Sequence, residues 1–149
     1  MSKRPLKYQE YLNKYNNCPP STCREMETIC YRWVHKPVNN EDFYPLQLIP
    51  GSPTREFDDS DKQCLSYGLS LHLSLSSSKD AYLKEYNKRS RKNSKLKFKQ
   101  AKGEYIAELN LQKEDGIHSE VNMDGHFTFY ENEECNFLNR VNCIFDNFV

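Results

Sequence analysis

Two histidines in this chain share one local setting. His72-Leu73-Ser74-Leu75 and His126-Phe127-Thr128-Phe129 each run histidine, hydrophobic, hydroxyl, hydrophobic. Side chains on an extended chain alternate between faces, so His72 falls with Ser74, and His126 with Thr128, on the polar sides of their strands. Imidazole changes charge near neutrality without any help from its surroundings. Two of them across a groove can work as general base and general acid, with the hydroxyls holding oxygens of the group between them. A second set is spread more widely: Arg32 directly after Tyr31, Ser74-Leu75-Ser76 ahead of a helix start at Asp80-Ala81, and Glu131-Asn132-Glu133 further along. A guanidinium suits phosphate oxygens bidentately, and a fixed carboxylate stabilises developing positive charge.

Each set resembles a known family. The paired histidine motifs are similar to those of two-histidine phosphoesterases, which implies His72 and His126 acting on an RNA end or a cyclic phosphate while Ser74 and Thr128 hold its oxygens. The order Arg, then Ser-x-Ser before a helix, then Glu-x-Glu resembles the Arg-Ser-Glu class of ADP-ribosyltransferases. That resemblance implies NAD as cofactor, bound through Tyr31, Arg32 and Ser74. Arg32 would grip the pyrophosphate, Ser74 would shape the nicotinamide pocket, Glu133 would bind ribose hydroxyls and Glu131 would engage the acceptor. No metal is expected, because His118 and His126 near Glu120 and Asp124 sit at loop spacings common by chance, and the chain has no Cys-x-x-Cys pair.

These residues need elements to hold them. The strict alternation of Leu69, Leu71, Leu73 and Leu75 with Ser70, His72, Ser74 and Ser76 predicts a strand over 64–76. A helix over about 78–90 follows, capped by Ser76 or Ser77. Residues 28–35 read as a strand with Ile29, Tyr31 and Trp33 on one face and Cys30, Arg32 and Val34 on the other. Residues 104–111 and 125–131 read as two more, the latter with Phe127 and Phe129 inward. A tyrosine stripe (Tyr8, Tyr11, Tyr15) predicts a helix over 6–16. The end is ambiguous: Leu138, Val141, Phe145 and Phe148 have helical spacing, while 140–145 equally suits an edge strand. The sum is an α+β domain spanning 1–149, with a small, mostly antiparallel sheet of four or five strands and two or three helices. Its two irregular stretches are a long Pro-rich loop over 36–62, and a basic helix end or mobile loop over 88–102.

Composition limits the function classes. The 149 residues carry 21 basic and 21 acidic side chains, so no overall charge draws the chain to nucleic acid or anionic lipid. Between Lys84 and Lys102, however, nine basic residues face the single acid Glu85, which makes nucleic acid a candidate partner there. Residues 114–134 hold seven acids and no Lys or Arg. The basic start lacks an apolar run behind it, so a cytoplasmic location, no membrane partner and reduced thiols at the six cysteines are expected. The aromatic content, the Pro-rich loop and the opposed charge blocks favour a non-enzymatic domain that binds a protein partner, with the two enzyme readings as alternatives. The interaction reading predicts no cleft joining the polar faces of the two histidine strands.

Overall fold

The computed structural model describes residues 4–147. Six strands are present: β1 (Thr28–Val34), β2 (Leu69–His72), β3 (Tyr105–Leu111), β4 (Gly116–His118), β5 (His126–Glu131) and β6 (Val141–Asp146). They form one antiparallel sheet in the order β4-β5-β2-β1-β3-β6. Four α-helices lie among the described residues: α1 (Gln9–Leu12), α2 (Ser60–Leu65), α3 (Leu75–Asn87) and α4 (Lys92–Lys102). The α+β class is as expected, with more elements than the sequence predicts. β4 is three residues inside a polar loop, β6 resolves the ambiguous end as an edge strand, α2 begins in the stretch expected to be a Pro-rich loop, and α4 falls in the stretch expected to be a helix end or mobile loop. Phe148 lies outside the described residues.

Alternation decides which side of each strand is buried. Cys30 and Val34, Leu69 and Leu71, Ala107, Leu109 and Leu111, and Phe127 and Phe129 form one apolar face. Phe43 and Phe137 close it, their rings stacked 4.7 Å apart. Each such side chain contributes about 1.5–3 kcal/mol on burial, so this face supplies most of the driving force. The opposite face carries Trp33, Ile106 and His72 beneath α3 and α4. There Trp33 Nε1 donates to the Ser78 carbonyl at 3.0 Å, and the indole meets Tyr82 and Phe98 edge-on at 5.1 and 6.0 Å. Tyr82 donates to the Gly103 carbonyl at 2.7 Å. Gly103 has φ +83°, and a Cβ there would stand 2.0 Å from the Val34 carbonyl oxygen, so no other residue fits.

Several boundaries differ from the sequence reading. The leucine strand stops at His72. Ser74, rather than Ser76 or Ser77, caps α3 by accepting from the Ser77 N–H at 3.1 Å, so the alternation breaks and Leu73 is exposed. Cys64 belongs to α2. The tyrosine stripe yields only the single turn of α1, short enough to depend on packing. Tyr11 and Tyr15 supply that packing against Tyr67, with centroids 5.5 and 6.0 Å apart. The 36–62 stretch is pinned by two 3-10 turns, Asn40–Phe43 and Leu46–Leu48, the first held by an Asn39/Asp42 capping box. The 88–102 stretch becomes α4 from Lys92 onward.

The thiols also need correction. Cys18 and Cys64 form a disulfide with Cα atoms 5.7 Å apart, while Cys23, Cys30, Cys135 and Cys143 are free. The partners are 46 residues apart in sequence and meet only because α1 and α2 pack on one aromatic cluster. Among the described residues no helix is long and apolar enough to cross a membrane.

Candidate functional site

β2 and β5 pair in a register that places Leu69 opposite Phe129, Ser70 opposite Thr128, and His72 opposite His126. The two histidines therefore share one face as direct cross-strand neighbours, with ring centres 5.4 Å apart. They form part of the floor of a cavity of 830 Å³, ample for a small-molecule ligand. One wall is α3, through Ser77, Asp80 and Lys84. The facing wall comes from residues 44–66, including Leu46, Phe57 and Leu65, and Asn122, Met123 and Asp124 form a rim. The protein-interaction reading expected no cleft joining these two strand faces.

Gly68 lets the floor close. A Cβ at this position would stand 2.3 Å from Thr128 Cγ2, so a side chain would pry β2 from β5. Trp33 then fixes His72 from the β1 side, its rings stacked at 6.2 Å and 20° to the imidazole. Among the described residues neither the His72 nor the His126 ring makes a hydrogen bond to protein, although His72 is only 6% exposed. Burial lowers both imidazoles. His72 is pushed down to about 4, with the His126 charge adding to the effect and Asp124 opposing it. His126 is lowered by burial against the pull of Asp124. Both rings are neutral in the empty cavity at pH 7, so one must gain a proton before the pair can act as acid and base.

Arg32 reaches the cavity by an unusual route. Its position on β1 places it with Cys30 and Val34 on the apolar face, but β1 and β2 share only one registered pair, Tyr31 with His72. Where the ladder lapses, Arg32 Nη1 donates to the Ser70 carbonyl at 3.0 Å and Nε to the Asp42 carbonyl at 2.7 Å. The guanidinium thus lines the same cavity as the histidine pair, held against the Ser70 carbonyl. Burial lowers it to about 10 against the pull of Asp42 and Glu131, which leaves it cationic at neutral pH. Three of its five N–H groups remain unused by these bonds. Lys102, from the end of α4, adds a second cation and makes no ion pair among the described residues. Burial lowers it, with Arg32, Arg55 and Arg89 adding to the effect.

The other predicted residues fall elsewhere. Ser74 lies outside the cavity, its hydroxyl committed to capping α3 and to Ser76 and Ser77 at 3.2 and 2.8 Å. Tyr31 turns to Glu108, donating to it at 2.8 Å. Thr128 lines the cavity beside Ser70 rather than Ser74. Glu131 sits on the opposite face, nearly fully buried. Its carboxylate has Lys7 Nζ at 3.6 Å but no hydrogen bond within 3.5 Å, and burial raises it to about 7. Glu133 is exposed in the following turn, outside the cavity. Arg32, Ser74 and Glu133 therefore do not converge. The sequence reading missed Trp33, Ser70 and Ser77 as cavity residues, and named Lys102 only as the end of the basic tract. Ser70 stands two residues before His72 on the same face. Lys102 stands four after Phe98, which faces Trp33, so helix phasing carried a signal for it.

No group of three or more His, Cys, Asp or Glu side chains among the described residues is placed to hold a metal ion. No protein-family model matches the chain, and neither any curated protein nor any solved structure does so.

Proposed function

We propose that the cavity binds a phosphoester and that His72 and His126 act on it as an acid–base pair. The observation that carries this reading is the cross-strand pair of imidazoles, without hydrogen-bond partners on the floor of a cavity that a buried guanidinium also lines. A gap of 5.4 Å between ring centres suits one tetrahedral phosphate accepting a hydrogen bond from each ring. Arg32 and Lys102 would offset its charge.

The anion draws the missing proton from solvent, because a negative charge beside the rings favours the imidazolium that burial disfavours. The neutral ring then takes a proton from water as the water oxygen bonds to phosphorus. The protonated ring delivers its proton to the leaving oxygen as the ester P–O bond breaks. The pair ends with its roles exchanged and resets through solvent. Thr128, Ser70 and Ser77 supply hydroxyls along the walls in place of the Ser74 expected from the motif.

The ADP-ribosyl-transfer reading is less well supported, because Glu131 and Glu133 are both outside the cavity that Arg32 lines. The Cys18–Cys64 bridge fits an oxidising surrounding better than the cytoplasm. Trp33, the only tryptophan and part of the cavity lining, gives a direct assay. Its fluorescence should respond to sulfate and to 2′,3′-cyclic nucleotides, and phosphorus NMR should show ring opening that H72Q and H126Q each abolish. A response to NAD alone, or turnover unchanged in both variants, would overturn the proposal.

A further inference from the structure

Arg32 and Lys102 are enough for one phosphate, yet Lys62 and Lys84 also line the cavity and the positive charge does not stop there. The cations of α3, α4 and the turn between them that make no ion pair among the described residues include the five Lys84, Arg91, Lys92, Lys97 and Lys102, besides Lys79 and Lys95. Of the acids nearby, Glu85 and Glu104 are already engaged, while Asp80, on the same helix as Lys84, lines the cavity and makes no ion pair among the described residues. Glu85 takes Lys88 at 2.9 Å and Arg89 at 3.8 Å, and Glu104 takes Lys99 at 3.5 Å. Two of the five, Lys84 and Lys102, also line the cavity, whereas Arg91, Lys92 and Lys97 are exposed outside it. From Lys92 to Lys102 the axis of α4 runs about 15 Å, too far for a single mononucleotide phosphate to meet both ends.

The aromatic side chains of this region are not free to read bases. Tyr86 carries Lys95 over its ring at 4.3 Å and Lys99 at 5.5 Å, and Phe98 carries Arg89 at 4.3 Å. With the rings covered by cations, the surface offers charge rather than free aromatic faces, which suits phosphates without choosing sequence.

We infer that the α3–α4 surface binds single-stranded nucleic acid along its phosphates and leads one phosphodiester of the strand into the histidine cavity. This rests on the phosphoester reading for its last step only. The strand's chemistry is preferred over that of an anionic membrane because Lys84 and Lys102 join the surface to a recess. A flexible strand can enter that recess, whereas a flat bilayer cannot.

The test is fluorescence anisotropy of labelled 12-nucleotide RNA and DNA strands between 50 and 300 mM salt. Binding through four or five phosphates should give a log–log salt slope of about −3, since single strands contribute about 0.7 per phosphate. The exposed triple variant R91E/K92E/K97E should flatten that slope by about 2 while leaving Trp33 sulfate titrations unchanged. K84Q/K102Q should weaken both readouts.

Several results would overturn the inference: no strand binding at 50 mM salt, a slope unaltered in the triple variant, or tighter binding to phosphatidylserine vesicles than to either strand. Self-association that the same triple variant dissolves would overturn it in favour of a second copy's acidic face. If sulfate binds but strands do not, the surface inference alone fails. If strands bind with the expected slope but sulfate does not perturb Trp33, the phosphoester reading and the strand's entry into the cavity fail, and the surface remains.

Discussion

Affinity of the cavity for a non-titrating anion should depend steeply on pH, because binding must recharge an imidazole that burial has discharged. His72 stands at about 4 in the empty cavity. A single negative charge about 4 Å from the ring, at an effective dielectric near 20, favours the imidazolium by about 4 kcal/mol, or roughly 3 pH units. The ring would then titrate near 7 in the complex. Linkage of one proton predicts affinity that is flat above pH 8 and rises about tenfold per unit below 7, roughly 50- to 100-fold between pH 7.5 and 5. Sulfate is the probe, because its charge is constant over this range, and Trp33 fluorescence is the readout. Arg32, Lys62, Lys84, Lys102, Asp80, Glu85 and Asp124 also line the cavity, so K102M serves as the control for the ammonium that burial lowers. The double variant H72Q/H126Q should bind sulfate with affinity constant within about twofold across the series. A flat curve for the unaltered protein, or a slope that survives in the double variant, would show that the imidazoles do not meet the anion.

Three other expectations concern stability. Glu131 is raised to about 7 by burial, so its folded form holds a proton that the unfolded chain gives up near the ordinary carboxylate value. The charge therefore costs stability increasingly as pH rises through 4.5 to 7. E131Q should gain up to about 3 kcal/mol at pH 8 and little at pH 4, measured by urea unfolding at the two pH values. Reducing the Cys18–Cys64 bridge, whose partners are 46 residues apart, should cost about 4 kcal/mol in the chain-entropy account. Denaturant midpoints with and without a dithiol check this. Asp115 is buried, accepts from Arg140 at 2.7 and 2.9 Å and takes the Gln112 N–H at 2.7 Å. D115A should cost about 3 kcal/mol by thermal or urea unfolding. An effect within 0.5 kcal/mol would mean that water replaces the pair.

Residue order alone determined the faces of the strands. Period-2 alternation put Leu69 and Leu71, and Phe127 and Phe129, inward, and grouped Cys30 with Val34 on one face, because a one-residue slip would reverse every side chain; which face of β1 is buried only the structure decided. Alternation also placed His72 and His126 on polar faces, and local charge marked the basic tract. Long-range register was not legible, since nothing in the chain states that β2 lies between β1 and β5 or that His72 stands opposite His126 rather than one pair away. Nor was the lapse of the β1–β2 ladder, which sends Arg32 from the apolar face into the cavity. The Ser74 hydroxyl was read as chemistry, but helix capping took it, because an uncapped N-terminus leaves amide groups unsatisfied. The sequence supplied two histidines of matching local pattern. Only the packing of the whole sheet made them neighbours, because their contact depends on pairing energies summed over strands 54 residues apart.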